Sequence, residues 1–313
     1  MNLAGKAVLL LGFGGPTGPD EVRPFLREVT RGRGIPDARI AQVAHHYELV
    51  GGRSPYNEVA ARQAAALRQA LARDGVKVPV HVGMRNWPPL VRQALEQMAR
   101  EGVSRAVGFV LAPHRSPASW DSYLESVSAA QAALDGRAPT IDYVGPWHNH
   151  PRFIDAVAAQ VRRAMEKLAA AQRSKAHLLF TAHSIPRAMA ARSTYVEEFE
   201  ESASMVAAAL EHQSWSLAYQ SRSGDPREPW LEPDVAQALS SLEDRAAVVV
   251  PIGFACENVE LLYDLDIEAA ELARAHRVTM VRASAVNDDP RFIAMMAALI
   301  RARLDGGAPQ AAS

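Results

Sequence analysis

The feature that most constrains this chain is its alternation of short apolar runs with longer amphipathic stretches. Strand-like runs fall at residues 7–13, 78–84, 106–112 and 140–144, and again at 177–182, 216–220, 247–251 and 277–281. Each is strand length and bounded by turn residues, the signature of buried β-strands. Helical patterns occupy 20–30, 39–49, 57–73, 90–100, 120–134, 152–171, 196–211, 234–242, 257–273 and 290–304. Strands alternating with helices imply parallel sheets covered on both faces, an α/β protein.

At 313 residues the chain has about twice the usual single-domain length. Two segments share a plan of strand, small-residue turn and proline: Val8 to Pro16 and His177 to Pro186. The expectation is therefore two doubly wound domains with parallel sheets. An N-terminal domain would span 1–148 and a second 149–285, followed by a final helix at 286–305 and a tail at 306–313. Open α/β sheets bind ligands beyond the carboxyl ends of their strands. Two such sheets facing each other would make a cleft lined by the loops after the strands.

Composition removes several classes of function. Lys and Arg number 34 against 35 Asp and Glu, a formal charge of −1, without the basic excess of a nucleic-acid binder. The single cysteine, Cys256, leaves no intrachain disulfide and no cysteine-built zinc or iron–sulfur site. No apolar run approaches the roughly 20 residues of a spanning helix. The N-terminal run reads as a first strand without a signal-peptide cleavage pattern, so the expected location is the cytoplasm.

Two places carry candidate chemistry. His183 directly follows a strand, where these folds place sites, and an imidazole can ligate a metal or take a proton near neutral pH. The second is the helix after Pro251-Ile252-Gly253-Phe254. At α-helical spacing Glu257, Glu260, Asp264, Glu268 and Glu271 fall within an arc of roughly 80°. Most of the remaining circumference is apolar, with Asp266 the exception, and no Lys or Arg intervenes before Arg274. A solvated surface face would explain the acids, but repeated like charges at i,i+4 do not support a helix, and the apolar remainder is too wide for a helix resting on one core. An acidic stripe facing a wet cavity could bind a cation or relay protons. Adding a histidine shifts the preferred cation from magnesium or calcium toward iron, zinc or another transition metal.

Other features are weaker. Gly12-Phe13-Gly14-Gly15-Pro16 lacks phosphate-loop spacing and reads as a tight turn that a ligand can approach. Arg31 and Arg33 could grip carboxylates or form an exposed basic loop. His114 closes another strand and has a structural reading beside a site reading. His45, His46, His148 and His150 show no ligand spacing, and Cys256 reads as a small buried residue.

Six segments follow in order: Leu11 to Pro16, Tyr47-Glu48-Leu49-Val50-Gly51-Gly52-Arg53-Ser54-Pro55, Leu111-Ala112-Pro113-His114 with Ser122-Tyr123, and Thr181 to Pro186. Gln220-Ser221-Arg222 with Trp230-Leu231-Glu232-Pro233, and Pro251 to Phe254 with Glu260-Leu261-Leu262-Tyr263-Asp264, complete the set. Taken together, they resemble the ferrochelatase family nearly end to end. The resemblance implies a class II chelatase-like architecture, two Rossmann-like domains with a porphyrin cleft between them and a C-terminal helix packing back on the first. It implies a lyase of haem biosynthesis that inserts Fe²⁺ into protoporphyrin IX or coproporphyrin III. His183 and Glu260 would be the catalytic pair and the metal site, with Asp264 and Glu268 handling metal as the outer steps of the family's acidic path into the cleft. Phe13, Arg31, Tyr47, Ser54 and Tyr123 match positions near the porphyrin or its propionates. Iron would be a substrate, with no permanently bound cofactor and no iron–sulfur cluster. The partners expected are the porphyrin and ferrous iron, with no nucleic acid. A hydrophobic porphyrin leaves room for a peripheral membrane contact, and the oligomeric state is open.

The chain departs from the family in three places. Phe13 stands where some members acting on coproporphyrin carry an iron-binding tyrosine. Glu257-Asn258 replaces a frequent Asp-His pair, and Arg192-Ser193-Thr194 replaces Gly-Asp-Pro before Tyr195. The alternatives are a cobalt or nickel tetrapyrrole chelatase and a non-catalytic tetrapyrrole-binding paralogue. A nucleotide-dependent transferase is disfavoured by the missing phosphate-loop spacing.

Overall fold

The computed structural model describes residues 3–32, 34–223 and 227–306. Arg33 and most of the expected tail lie outside the described residues. Eight strands form two four-stranded, all-parallel sheets. The first contains β1 (Lys6–Gly12), β2 (Val80–Met84), β3 (Arg105–Val110) and β4 (Thr140–Tyr143), in the order β2-β1-β3-β4. The second contains β5 (His177–His183), β6 (Trp215–Gln220), β7 (Ala246–Val250) and β8 (Thr279–Arg282), in the order β6-β5-β7-β8. The strand order is thus the same in both. In each sheet the first strand in sequence is central, and its apolar residues are buried, as parallel strands covered on both faces must be.

The chain divides into two compact units. Unit 1 holds residues 1–111, 120–145 and 292–313, and unit 2 holds 112–119 and 146–291. The sequence reading places 112–119 in the first domain. In the structure His114 lies 3.1 Å from Ser202 and Arg115 is paired with Glu198, both in unit 2. Those side-chain contacts are invisible to strand and helix periodicity.

In unit 1 the helices are α1 (Pro19–Val29), α2 (Asp37–Leu49), α3 (Tyr56–Arg73), α4 (Val91–Arg100) and α5 (Ser122–Ala132). Helix α5 follows a widened turn at Pro117–Asp121. The last long helix, Pro290–Leu304, joins unit 1 from Phe292 onward. There Phe292 meets Phe109 edge to face at 6.4 Å, Arg301 pairs with Asp74 at 2.9 Å, and Lys6 donates to the Leu304 carbonyl.

Unit 2 contains α6 (Pro151–Met165), α7 (Ala170–Arg173), α8 (Arg187–Ala190), α9 (Tyr195–Ala209), α10 (Val235–Ser240) and α11 (Ala270–Ala275); the last long helix of unit 1 is α12. Leu179, Ala247 and Val249 point from one face of the sheet into a core shared with Val235, Leu239, Leu242, Leu261, Leu265 and Ala273. Alternation along the strands sends Leu178, Phe180 and Val248 to the opposite face, where α6 and α9 pack. Both faces are covered, as a doubly wound sheet requires.

Two expected helices differ in the structure. The pattern at 152–171 breaks after Met165, and residues 170–173 make a separate turn. The pattern at 257–273 contains a π-helix at Leu261–Ala269, followed by α11. Asn258 starts this segment by accepting the backbone N–H of Glu260 at 2.8 Å and of Leu261 at 3.2 Å, satisfying donors that a helix start leaves open. Among the described residues, no helix is long and apolar enough to cross a membrane.

Candidate functional site

In unit 2 the strand order reverses between β5 and β7. This is the switch point, where open α/β sheets hold ligands beyond the strand carboxyl ends. His183 is the last residue of β5, and the π-helical segment follows β7. Gly253, in the turn after β7, makes the junction close: a Cβ there would lie 2.7 Å from Ala182 Cα, immediately before His183.

His183 Nδ1 lies 2.6 Å from the Ser184 carbonyl oxygen. A carbonyl only accepts, so Nδ1 carries a proton, and in the neutral ring Nε2 is the nitrogen with the lone pair. That nitrogen faces Glu260 Oε1 at 3.8 Å, close but beyond hydrogen-bond length. The two side chains are 32% and 39% exposed, so both remain open to a ligand.

Asp264 is the third member. Burial, and then the neighbouring charge of Glu260, push its carboxyl up to about 7. Glu268 adds to the rise; a hydrogen bond from Ser221 and the charge of His183 oppose it. Ser221 donates to Asp264 Oδ2 through a short contact and adopts a left-handed backbone with φ +60°, a conformation costly for a residue with a Cβ. Glu268 and Glu271 are exposed, so the acids run from the half-buried pair outward to solvent.

Two elements of the sequence reading change here. Glu257 turns inward, pairing with Arg282 at 3.0 Å and accepting the Ala285 N–H at 2.9 Å. It is a structural acid and not a member of the stripe. Asp266 also pairs with Arg282, at 2.6 Å, so the cation missing from the helix is supplied by β8. The expectation of His183 and Glu260 as the metal pair, with Asp264 and Glu268 as outer steps of an acidic path, asks for no single shell of four, and among the described residues no group of three or more His, Cys, Asp or Glu could hold a metal.

The five residues expected near a porphyrin lie in unit 1. Phe13 is half-buried after β1 and meets Phe25 edge to face at 6.4 Å. Tyr47 is buried against the same ring at 6.2 Å. Ser54 is buried, its Oγ accepting the Tyr56 N–H and its N–H donating to the Pro16 carbonyl. Tyr123 is buried on α5, and Arg31 is exposed beside Glu28. The structure thus gathers Phe13 and Tyr47 around Phe25 and sets Ser54 under the turn at Gly14-Gly15-Pro16.

Other histidines have structural work. His114 is buried and held neutral, its pKa pushed down to about 3 by burial and then by His148. His148 pairs with Glu201, His45 pairs with Glu48, and His150 caps α6. Cys256 is buried. Sequence reasoning assigned no role to Ser221, although it sits inside the Gln220-Ser221-Arg222 segment.

Comparison with known proteins gives four findings. The family model described as Ferrochelatase matches residues 5–304. The chain is 40% identical over 300 residues to a ferrochelatase of Rhodopirellula baltica, covering 95% of this chain and 85% of that one. It is 40% identical over 319 residues to the coproporphyrin III ferrochelatase of Nocardia farcinica, covering 98% and 91%. Among solved structures, the sirohydrochlorin chelatase SirB of Bacillus subtilis subspecies spizizenii, in complex with cobalt, superposes with a TM-score of 0.57. It is 12% identical and covers 96% of each chain, a likeness of fold alone.

Proposed function

The chain belongs to the ferrochelatase family, and we propose that it performs that family's metal insertion at His183 and Glu260. It is a lyase of haem biosynthesis that inserts Fe²⁺ into a porphyrin. The reaction forms the iron–nitrogen bonds, breaks two pyrrole N–H bonds and releases two protons. A base with a free lone pair and a carboxylate able to meet the cation are the minimum equipment.

The observation that carries the assignment is His183 with Nδ1 on the Ser184 carbonyl and Nε2 facing Glu260 Oε1 at 3.8 Å. Nε2 takes a pyrrole proton. Glu260 meets the incoming cation, and protons leave along the acids. Asp264, poised near neutrality, can pick up and release a proton at working pH, and exposed Glu268 delivers it to water. Phe13 offers an aromatic surface and no ligand atom, so axial coordination by that residue plays no part. The porphyrin proposed is coproporphyrin III, in keeping with the Nocardia farcinica relative's name.

The test is anaerobic metallation followed by absorbance, with Fe²⁺, Co²⁺ or Ni²⁺ offered in turn with coproporphyrin III and protoporphyrin IX. Iron insertion, faster with coproporphyrin III, is expected. Preference for protoporphyrin IX would overturn the choice of porphyrin, and porphyrin binding without metallation by any metal would overturn the enzyme assignment.

A further inference from the structure

We infer that Tyr195 is a positioning residue for His183: its hydroxyl fixes the peptide that decides which ring nitrogen of His183 is bare. This rests on the reading of His183 as the reacting base and adds what holds that base in its working form.

Tyr195 opens α9, after the segment Arg192-Ser193-Thr194 that departs from the family pattern. It is buried, and its hydroxyl donates to the His183 carbonyl at 2.8 Å. That carbonyl needs an outside partner. The β5–β7 pairing ends at Phe180 opposite Val250. On the same side of β5, the Thr181 carbonyl is taken by the Gly253 N–H. Two residues on, the His183 carbonyl is past the ladder, and a buried unpaired carbonyl is costly.

The other end of the same peptide is also held. The Ser184 N–H donates to the Gln220 carbonyl at 2.7 Å. With its oxygen on Tyr195 and its N–H on Gln220, the His183–Ser184 peptide plane cannot rotate. The next carbonyl along, that of Ser184, is thereby aimed at His183 Nδ1. This contact puts a proton on Nδ1 and, in the neutral ring, leaves Nε2 bare toward Glu260, the tautomer control that a partner on the far nitrogen exerts in histidine sites.

Tyr195 suits the task. Burial, followed by the neighbouring Tyr219 and Glu260, pushes its phenol far above the ordinary range, so it stays a donor at every working pH. Its ring is set by an edge-on contact with His114 at 6.0 Å and 83°.

The variant that tests this is Tyr195→Phe, which keeps the ring and removes one donor. The expected result is a loss in kcat of about 10- to 100-fold, the usual cost of removing a partner that orients a histidine. Porphyrin KM should stay within about twofold, since substrate contacts are untouched. The second readout needs no turnover: ¹H–¹⁵N spectra of ¹⁵N-histidine-labelled, metal-free protein, with the His183 signal assigned by its loss in His183→Ala. Wild type should show the proton on Nδ1, and Tyr195→Phe should show a mixture of tautomers. A wild-type signal for a proton on Nε2 would overturn the inference whether or not the variant folds. So would wild-type kcat in Tyr195→Phe with an unchanged His183 spectrum. If His183→Ala keeps wild-type turnover, the reading of the base falls as well; if His183→Ala is inactive and Tyr195→Phe is fully active, only the role of Tyr195 falls.

Discussion

At the residue scale, the site is three ionisable groups in different environments. His183 and Glu260 are each about a third exposed, whereas burial and the charge of Glu260 raise the carboxyl of half-buried Asp264. The difference gives separate consequences for each. Glu260→Gln preserves shape and removes the charge that meets the cation, so iron insertion should fall by about 100-fold or more, the scale of a direct catalytic group. Porphyrin binding, read by fluorescence quenching, should persist. Loss of porphyrin binding in step with activity would move Glu260 out of the metal-handling role. For Asp264 the folded pKa of about 7 lies above the ordinary 3.8. Between those values the folded state binds more protons than the unfolded one, so stability falls as pH rises from about 4 to about 7. Asp264→Asn removes this slope. Its melting temperature relative to wild type should therefore climb with pH across that window, by circular dichroism. A constant difference would show that Asp264 does not retain its proton in the folded chain.

At the element scale, the π-helical segment is a strand-to-helix transition with defined supports. Asn258→Ala removes two capping acceptances and should cost about 1 kcal/mol in chemical denaturation. Gly253→Ala places a methyl 2.7 Å from the backbone at Ala182. Neither strand end can give way easily, so overpacking of about 1–3 kcal/mol is expected, together with reduced metallation as His183 is displaced. Full activity with unchanged stability would show that the junction yields. Much of this region was legible in the sequence. The strand before His183 is a run of buried apolar residues, and the acids recur every four residues, so both candidates emerge from periodicity. What periodicity could not supply is non-local. Arg282 lies on β8, 25 residues beyond the Glu257 that it pairs with, so Glu257 looks like part of the stripe until the chain folds. The π-helix was also hidden, because the angular arithmetic assumes α-helical spacing throughout. Tyr195 was visible only as a break in a motif, since its hydrogen bond joins a helix start to a strand end.

At the scale of the whole molecule, two sheets of the same strand order match the two-domain α/β architecture that alternating strands and helices imply. Placing 112–119 with unit 2 required side-chain contacts that no composition shift marks. Buried histidines tie global stability to pH. The pKa of His114 is pushed down to about 3 and that of His177 to about 4, burial being the larger cause in each. Both must gain a proton on unfolding in acid, so their contribution is lost as pH falls from about 6.5 toward those values, opposite in sign to Asp264. His177→Gln should flatten the acid limb of a stability–pH curve measured by urea denaturation; an unchanged limb would remove His177 as a source. The decisive measurement is anaerobic Fe²⁺ insertion by wild type and His183→Ala side by side, with porphyrin binding and melting temperature recorded on both. Iron insertion by wild type, lost in a variant that is folded and still binds porphyrin, is the result expected. Wild-type turnover in His183→Ala would contradict the assignment of the reactive centre.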